Sequence, residues 1–199
     1  DAIRSRGLGD VYKRQKKGET IGIKGKSGEG KSTLINMVCG FIVPNLGEIL
    51  VDDLNINQNV RGWRSIVGYI PQSTYLFNGS IKENICFSKN SEDFDEKLFY
   101  DIIKISQLNE LVENSPQKEN TLVGERGILL SGGQAQRIAL ARCLYRDPQV
   151  LILDEATSSL DSTNEQKIMD SIKLLKGKKT IIIVSHREST LSFCDRIFN

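Results

Sequence analysis

Residues 25–32 read Gly25-Lys26-Ser27-Gly28-Glu29-Gly30-Lys31-Ser32, three glycines and two lysines between two apolar segments of different period. Thr20-Ile21-Gly22-Ile23 before them reads as a short buried strand. Ser32-Thr33-Leu34-Ile35-Asn36-Met37-Val38-Cys39 after them reads as an amphipathic helix, stopped by Gly40. A strand that turns through glycines straight into a helix points toward an α/β fold. The spacing fits G-x-x-x-x-G-K-[ST]. Such a turn aims several backbone N–H groups at one point, and the helix dipole adds to their field, so a polyanionic phosphate binds there. The glycines permit backbone angles and a close approach that side chains would block. On this reading residues 25–33, Thr33 included, cradle a nucleotide such as ATP. Lys31 reaches its β- and γ-phosphates, and the Ser32 hydroxyl ligates Mg²⁺. The alternative is a chance glycine-rich turn, and the flanking strand and helix argue against it.

A second stretch complements the first. Val150-Leu151-Ile152-Leu153 is a continuous apolar run, the mark of a central parallel strand, and it ends in Asp154-Glu155. Nucleotides sit at the C-terminal edge of an open α/β sheet. Asp154 is placed in the Mg²⁺ shell through water, and Glu155 as the base that polarises the water attacking the γ-phosphate. Alone, the two acids could be a solvated strand end.

Taken in order, the chain first shows residues 1–15, which have no hydrophobic period and are rich in Arg and Gly. They are expected to be a non-native leader outside the fold, with a disordered basic arm as the rival reading. Residues 16–72 read as α/β, with strands at Glu48-Ile49-Leu50-Val51 and Ile66-Val67-Gly68-Tyr69-Ile70. Residues 73–146 change to mostly helix. Ser80-Ile81-Lys82-Glu83 is a capping box, 94–105 carries a helical apolar stripe, and Ser131 with Gln134 caps a helix that Asp147-Pro148 closes. Residues 147–199 return to α/β. Ser162-Thr163-Asn164-Glu165 reads as another capping box, and Thr180-Ile181-Ile182-Ile183-Val184 as a buried strand. The predicted fold is therefore a mainly parallel sheet flanked by helices, core 16–72 and 147–199, with an inserted helical subdomain at 73–146.

Composition removes some classes. No apolar run approaches the roughly 20 residues of a membrane span. The net charge of +2 misleads, because residues 1–17 hold six bases and two acids of the total 27 and 25. The remainder has 21 bases and 23 acids, a net of −2, which is not a basic nucleic-acid surface. Cys39, Cys86, Cys143 and Cys194 are scattered among apolar neighbours and read as buried free thiols.

Leu130-Ser131-Gly132-Gly133-Gln134 lies between the two phosphate motifs, about one hundred residues after Lys31 and about twenty before Asp154. A serine cap and two glycines at a helix start form a second anion nest. A plain capped helix would explain Ser131 but not the glycine pair. Together these motifs resemble the ATP-binding-cassette (ABC) ATPases over residues 16–199, with a RecA-type P-loop core. The resemblance implies that Gln72 is the Q-loop glutamine contacting Mg²⁺ and water, that Ser159-Leu160-Asp161 is the D-loop, and that His186, the only histidine, contacts the γ-phosphate. It also implies a head-to-tail pair of cassettes, in which Ser131, Gly132, Gly133 and Gln134 of one close on the ATP held by the other.

The resemblance extends to subtype. Leu122-Val123-Gly124-Glu125-Arg126-Gly127 is similar to the exporter X-loop, and residues 78–85 to the exporter segment after the Q-loop. Both imply contact with a transmembrane domain at the cytoplasmic face of a membrane. Ser185-His186-Arg187-Glu188-Ser189-Thr190 with Cys194-Asp195 is similar to exporters that flip lipid-linked saccharides. The family's adenine-stacking aromatic has no assigned counterpart, and the domain's opening antiparallel sheet is expected to be largely absent. The rivals are a chromosome-maintenance (SMC-type) ATPase, a soluble tandem-cassette ribosome factor, and a fragment without activity. The first would insert long heptad runs between P-loop and signature, which this chain lacks.

Overall fold

The computed structural model describes residues 2–6, 13–26, 28–87, 94–124 and 130–199. In chain order the elements are β1 (Ala2–Arg6), β2 (Lys13–Lys16), β3 (Thr20–Ile23), α1 (Lys31–Val38), β4 (Glu48–Val51), β5 (Leu54–Asn55), α2 (Val60–Ile66) and β6 (Val67–Ile70). Then come β7 (Gly79–Ser80), α3 (Ile81–Cys86), α4 (Glu96–Ile105), α5 (Asn109–Glu113), β8 (Leu122–Val123), α6 (Gly132–Leu144), β9 (Val150–Asp154), α7 (Ser162–Leu175), β10 (Thr180–Val184), α8 (Glu188–Leu191) and β11 (Arg196–Phe198). They divide into two compact units, 1–69 with 148–155 and 175–199, and 70–147 with 156–174. The expected core 147–199 is thus interrupted, because residues 156–174 group with the helical unit.

The first unit is built on a five-stranded sheet in the order β11-β3-β10-β9-β6. β11, β3, β10 and β9 pair in parallel. Strands buried on both faces read as near-continuous apolar runs, and β9 and β10 are buried at every position, with Thr180 and Asp154 as polar ends. Ile35 and Val38 of α1, Trp63 of α2, and Ile152, Ile182 and Val184 of the sheet share one core. The register aligns Phe198, Ile23, Val184 and Asp154 in a row across four strands. Whatever follows these residues is delivered to one edge.

A second sheet in this unit has the order β2-β1-β4-β5, with β1 antiparallel to both β2 and β4. This corrects two expectations. Residues 2–6 and 13–16 are paired strands, so the leader does not lie outside the fold, and the opening antiparallel sheet is present. Gln15 is buried, and its Nε2 donates to Glu19 O and Ile181 O, each at 2.9 Å. Strand pairing uses backbone groups, so a polar segment without hydrophobic alternation can still join an open sheet edge.

Helix α2 has no counterpart in the sequence reading, which also placed Ile66 in the following strand. The Asn59 side chain accepts from Gly62 N at 2.9 Å and caps α2, and the Trp63 indole N–H donates to Val38 O at 2.6 Å.

In the second unit, α3 and α4 pack on α6 around Ile81, Ile85, Phe99, Ile103 and Ile138. Both serine capping boxes form as expected, at Ser80 with Glu83 and at Ser131 with Gln134. The third does not. Ser162 is the first residue of α7, and Asp161 is its cap, accepting from Thr163 N and Asn164 N, each at 3.0 Å. An aspartate one position earlier reaches both amides, so it displaces the serine from the role.

Candidate nucleotide-binding site

The aligned row sets the site in the first unit. Lys24 N donates to Phe198 O at 2.8 Å, Ser185 N to Ile23 O at 3.2 Å, and Glu155 N to Val184 O at 2.9 Å. The glycine loop after β3, His186 after β10, and Asp154-Glu155 at the end of β9 therefore leave the sheet side by side. Glu155 takes a left-handed φ of 47°, a conformation unusual for a non-glycine residue and common where backbone strain serves a site.

The loop is shaped for an anion. Gly28 and Gly30 have φ of 87° and 86°, and a Cβ built at either meets no atom within 4 Å. Gly30 is the N-cap of α1 and supplies no side-chain hydrogen bond, and the first turn holds no acid. Among the described residues, no side chain caps this first turn. Lys26 N donates to Glu29 Oε2 at 2.7 Å. Lys31 Nζ donates to Gly25 O at 2.9 Å and Lys26 O at 2.7 Å, which folds the cation over the loop. Ser32 and Thr33 stand in the first turn of α1. Ser27 lies outside the described residues.

Around this loop the carboxylates are arranged by charge. Lys31 Nζ is 3.8 Å from Glu155 Oε1, and His186 Nδ1 is 3.9 Å from the same oxygen. Asp154 is buried and accepts a hydrogen bond from the Tyr69 hydroxyl at 3.2 Å. Burial holds the Asp154 carboxyl above its ordinary range, with the charge of Glu155 adding and Tyr69 and Lys31 opposing. Burial together with Asp154 pushes the Tyr69 phenol up to about 12. Tyr69 was not foreseen, because alternation along β6 gives its face and not its hydroxyl partner.

The donor set suits a hard cation: a carboxylate from Asp154 and a hydroxyl from Ser32. Among the described residues, no three His, Cys, Asp or Glu side chains cluster to hold a metal by themselves. A carboxylate and a hydroxyl are the kind of hard oxygen donors that Mg²⁺ takes, one or two from protein alongside phosphates and water. The cysteines are free: Cys39 and Cys143 are buried, Cys86 and Cys194 half-buried. Burial pushes the Cys39 and Cys143 thiols up to about 12.

The remaining expected residues lie in the second unit. Ser131 N donates to Gln134 Oε1 at 2.8 Å, and Gln134 N to Ser131 Oγ at 3.2 Å. Gly132 is open, but a Cβ built at Gly133 would fall 2.3 Å from Asn164 Cγ. Asn164 is itself held, accepting from Arg137 Nη1 at 2.7 Å and donating to Asp161 Oδ2 at 2.6 Å. Gly133 is therefore required by close packing as well as by any anion nest. Gln72 donates through Nε2 to Ser158 Oγ at 3.3 Å. Of the X-loop, residues 125–127 lie outside the described residues.

A family profile described as ABC transporter matches residues 8–158. The chain belongs to the ABC transporter family. It is 42% identical over 181 residues to ABC transporter B family member 6 of Dictyostelium discoideum, covering 90% of this chain and 26% of that protein. It is 40% identical over 191 residues to a putative multidrug export ATP-binding/permease protein of Staphylococcus aureus, covering 96% of this chain and 33% of the relative. Colicin V secretion/processing ATP-binding protein CvaB of Escherichia coli is 40% identical over 183 residues, 92% of this chain and 26% of that protein. The chain thus spans about a quarter to a third of these ABC relatives. A solved bacterial Atm1-family ABC exporter with ATP bound superposes with a TM-score of 0.86 at 30% identity, over 100% of this chain and 37% of that one. The chain is accordingly an ABC transporter ATP-binding domain with a P-loop NTPase fold.

Proposed function

We propose that the chain is the motor domain of an ABC exporter, binding and hydrolysing ATP to drive transport through a membrane domain. The observation that carries this is the row Phe198–Ile23–Val184–Asp154, which sets Lys31, Asp154, Glu155 and His186 at the edge where the glycine loop opens. Lys31 and the amides of α1 bind the phosphates, Ser32 and Asp154 hold Mg²⁺, and Glu155 takes the proton of the attacking water. Mg²⁺ held there would supply positive charge against the phosphate oxygens. His186, beside Glu155, contacts the γ-phosphate. For Gln72, Asp161 and the Ser131–Gln134 turn, the roles toward metal, interface and the ATP of a second copy follow from family likeness.

By the same likeness two copies pair head to tail, and the chain works at the cytoplasmic face of a membrane. One relative is named a putative multidrug export ATP-binding/permease protein and another a secretion/processing ATP-binding protein. Among the described residues no helix is long and apolar enough to cross a membrane. A lipid or lipid-linked saccharide as cargo is the finer proposal, read from residues 185–190.

The test uses the full-length protein containing this chain, in proteoliposomes. ATP hydrolysis that requires Lys31 and accompanies movement of a fluorescent lipid supports the proposal. Absence of ATP affinity, or hydrolysis untouched by Lys31→Ala, overturns the motor. Hydrolysis without lipid movement removes only the cargo.

A further inference from the structure

Two side chains of α6 grip the segment that contains Gln72. Gln136 is 4% exposed. Its Nε2 donates to Pro71 O at 3.0 Å, and its Oε1 accepts from the Thr74 hydroxyl. Six residues along the helix, Arg142 Nη1 donates to Tyr75 O at 3.0 Å, Nε to Asn84 O at 2.7 Å, and Nη2 to Asn84 Oδ1 at 3.0 Å. Asn84 is fully buried and closes the turn from the far side, donating through Nδ2 to Phe77 O and Ser80 O, each at 3.0 Å. Gln72 lies between Pro71 and Thr74, inside this bracket. Every group named belongs to the second unit.

We propose that Gln136 and Arg142 are positioning residues that fix residues 71–75 to the signature helix, so that Gln72 keeps one place relative to the Ser131–Gln134 turn. The proposal rests on the ATPase reading above. Its physical basis is the contrast between the two partners. Residues 71–78 have no helix or strand of their own, and an unsupported loop samples many conformations. The helix is rigid, and its two anchor residues stand about 9 Å apart along the axis at 1.5 Å per residue. Anchoring at both ends of 71–75 removes the loop's freedom to slide. Gln136 and Asn84 are buried, so a lost partner there leaves a buried polar group unsatisfied, whereas the Arg142–Tyr75 bond is exposed. Gln72 and the signature turn then behave as one body, and a displacement at either is felt at the other.

The test uses the full-length protein. Gln136→Glu keeps an acceptor for Thr74 but loses the N–H to Pro71 O, and Gln136→Ala loses both. Arg142→Lys cannot span Tyr75 O and Asn84 together. Each is expected to lower kcat about tenfold, in keeping with a sub-ångström to ångström misplacement, with KM for ATP within about twofold. Amide hydrogen exchange should rise in peptides covering residues 72–79 and stay unchanged in β9. Wild-type kcat with unchanged exchange in Gln136→Glu overturns the proposal. So does a uniform rise in exchange across both units, which would mark a purely structural role. Should the wild-type protein hydrolyse no ATP, the motor reading fails, while the exchange pattern still decides whether the bracket exists.

Discussion

Lys31 and Glu155 face each other across 3.8 Å, Nζ to Oε1, where β3 and β9 end in parallel. The pair keeps the cation proposed to bind phosphate and the carboxylate proposed as base beside one another. Glu155→Gln keeps the shape and removes the base. Phosphate release should fall at least about 100-fold, while a fluorescent ATP analogue still binds. Lys31→Ala should do the reverse in order of severity, weakening analogue binding first. Normal turnover in Glu155→Gln would remove that side chain from its role.

Asp154 makes a stability prediction with a sign. Burial raises its folded pKa above the ordinary value of 3.8, so folding favours its protonated form. The contribution is favourable below the unfolded pKa and is lost as pH rises through the folded value, leaving a penalty at neutral pH. Asp154→Asn should therefore raise Tm by a few degrees at pH 7, with a smaller gain near pH 4, while ending hydrolysis. Thermal melts at the two pH values check this. An equal Tm change at both would contradict the assignment.

Ser131 both caps α6 and is proposed to touch phosphate, and the two roles can be separated. Aspartate caps as well as serine and suits the positive helix start. Ser131→Asp should keep the wild-type Tm, whereas Ser131→Ala should cost about 1 kcal/mol. Both should lose hydrolysis in the full-length protein, the aspartate more severely because it repels phosphate. A fully active Ser131→Asp protein would show that the turn meets no anion.

The two signature glycines should respond differently. A Cβ at Gly132 meets only Leu160 Cδ2 at 3.7 Å, an ordinary contact. At Gly133 it collides with Asn164, whose bonds to Arg137 and Asp161 oppose its retreat. Gly132→Ala should be neutral to folding, and Gly133→Ala should cost about 1–3 kcal/mol. Adding Asn164→Gly should recover part of that loss, as read from denaturant midpoints.

The strands and capping boxes at the heart of the molecule were legible because their signals are local. β9 and β10 are apolar but for one terminal residue each, and Ser80 and Ser131 meet their partners three residues on. Helix α2 was hidden, because residues 60–66 include a glycine and bury one side chain fully, Trp63. β1 and β2 were hidden for another reason: their pairing is a backbone affair that polar side chains do not announce. At α7 two capping residues stand side by side, and spacing alone could not rank Asp161 above Ser162. At the site, Lys31, Asp154, Glu155 and His186 were named from motifs, but their meeting depends on strand order, which no motif encodes. The left-handed backbone at Glu155 and the hydroxyl of Tyr69 had no sequence signal.

The first turn of α1 is left without a side-chain cap at Gly30. A helix built this way is unfinished at one tip, and on the proposed function a phosphate completes it. Affinity for the nucleotide and firmness of that turn are then a single quantity. Any substitution that stiffens the loop with a cap of its own would compete with the proposed ligand.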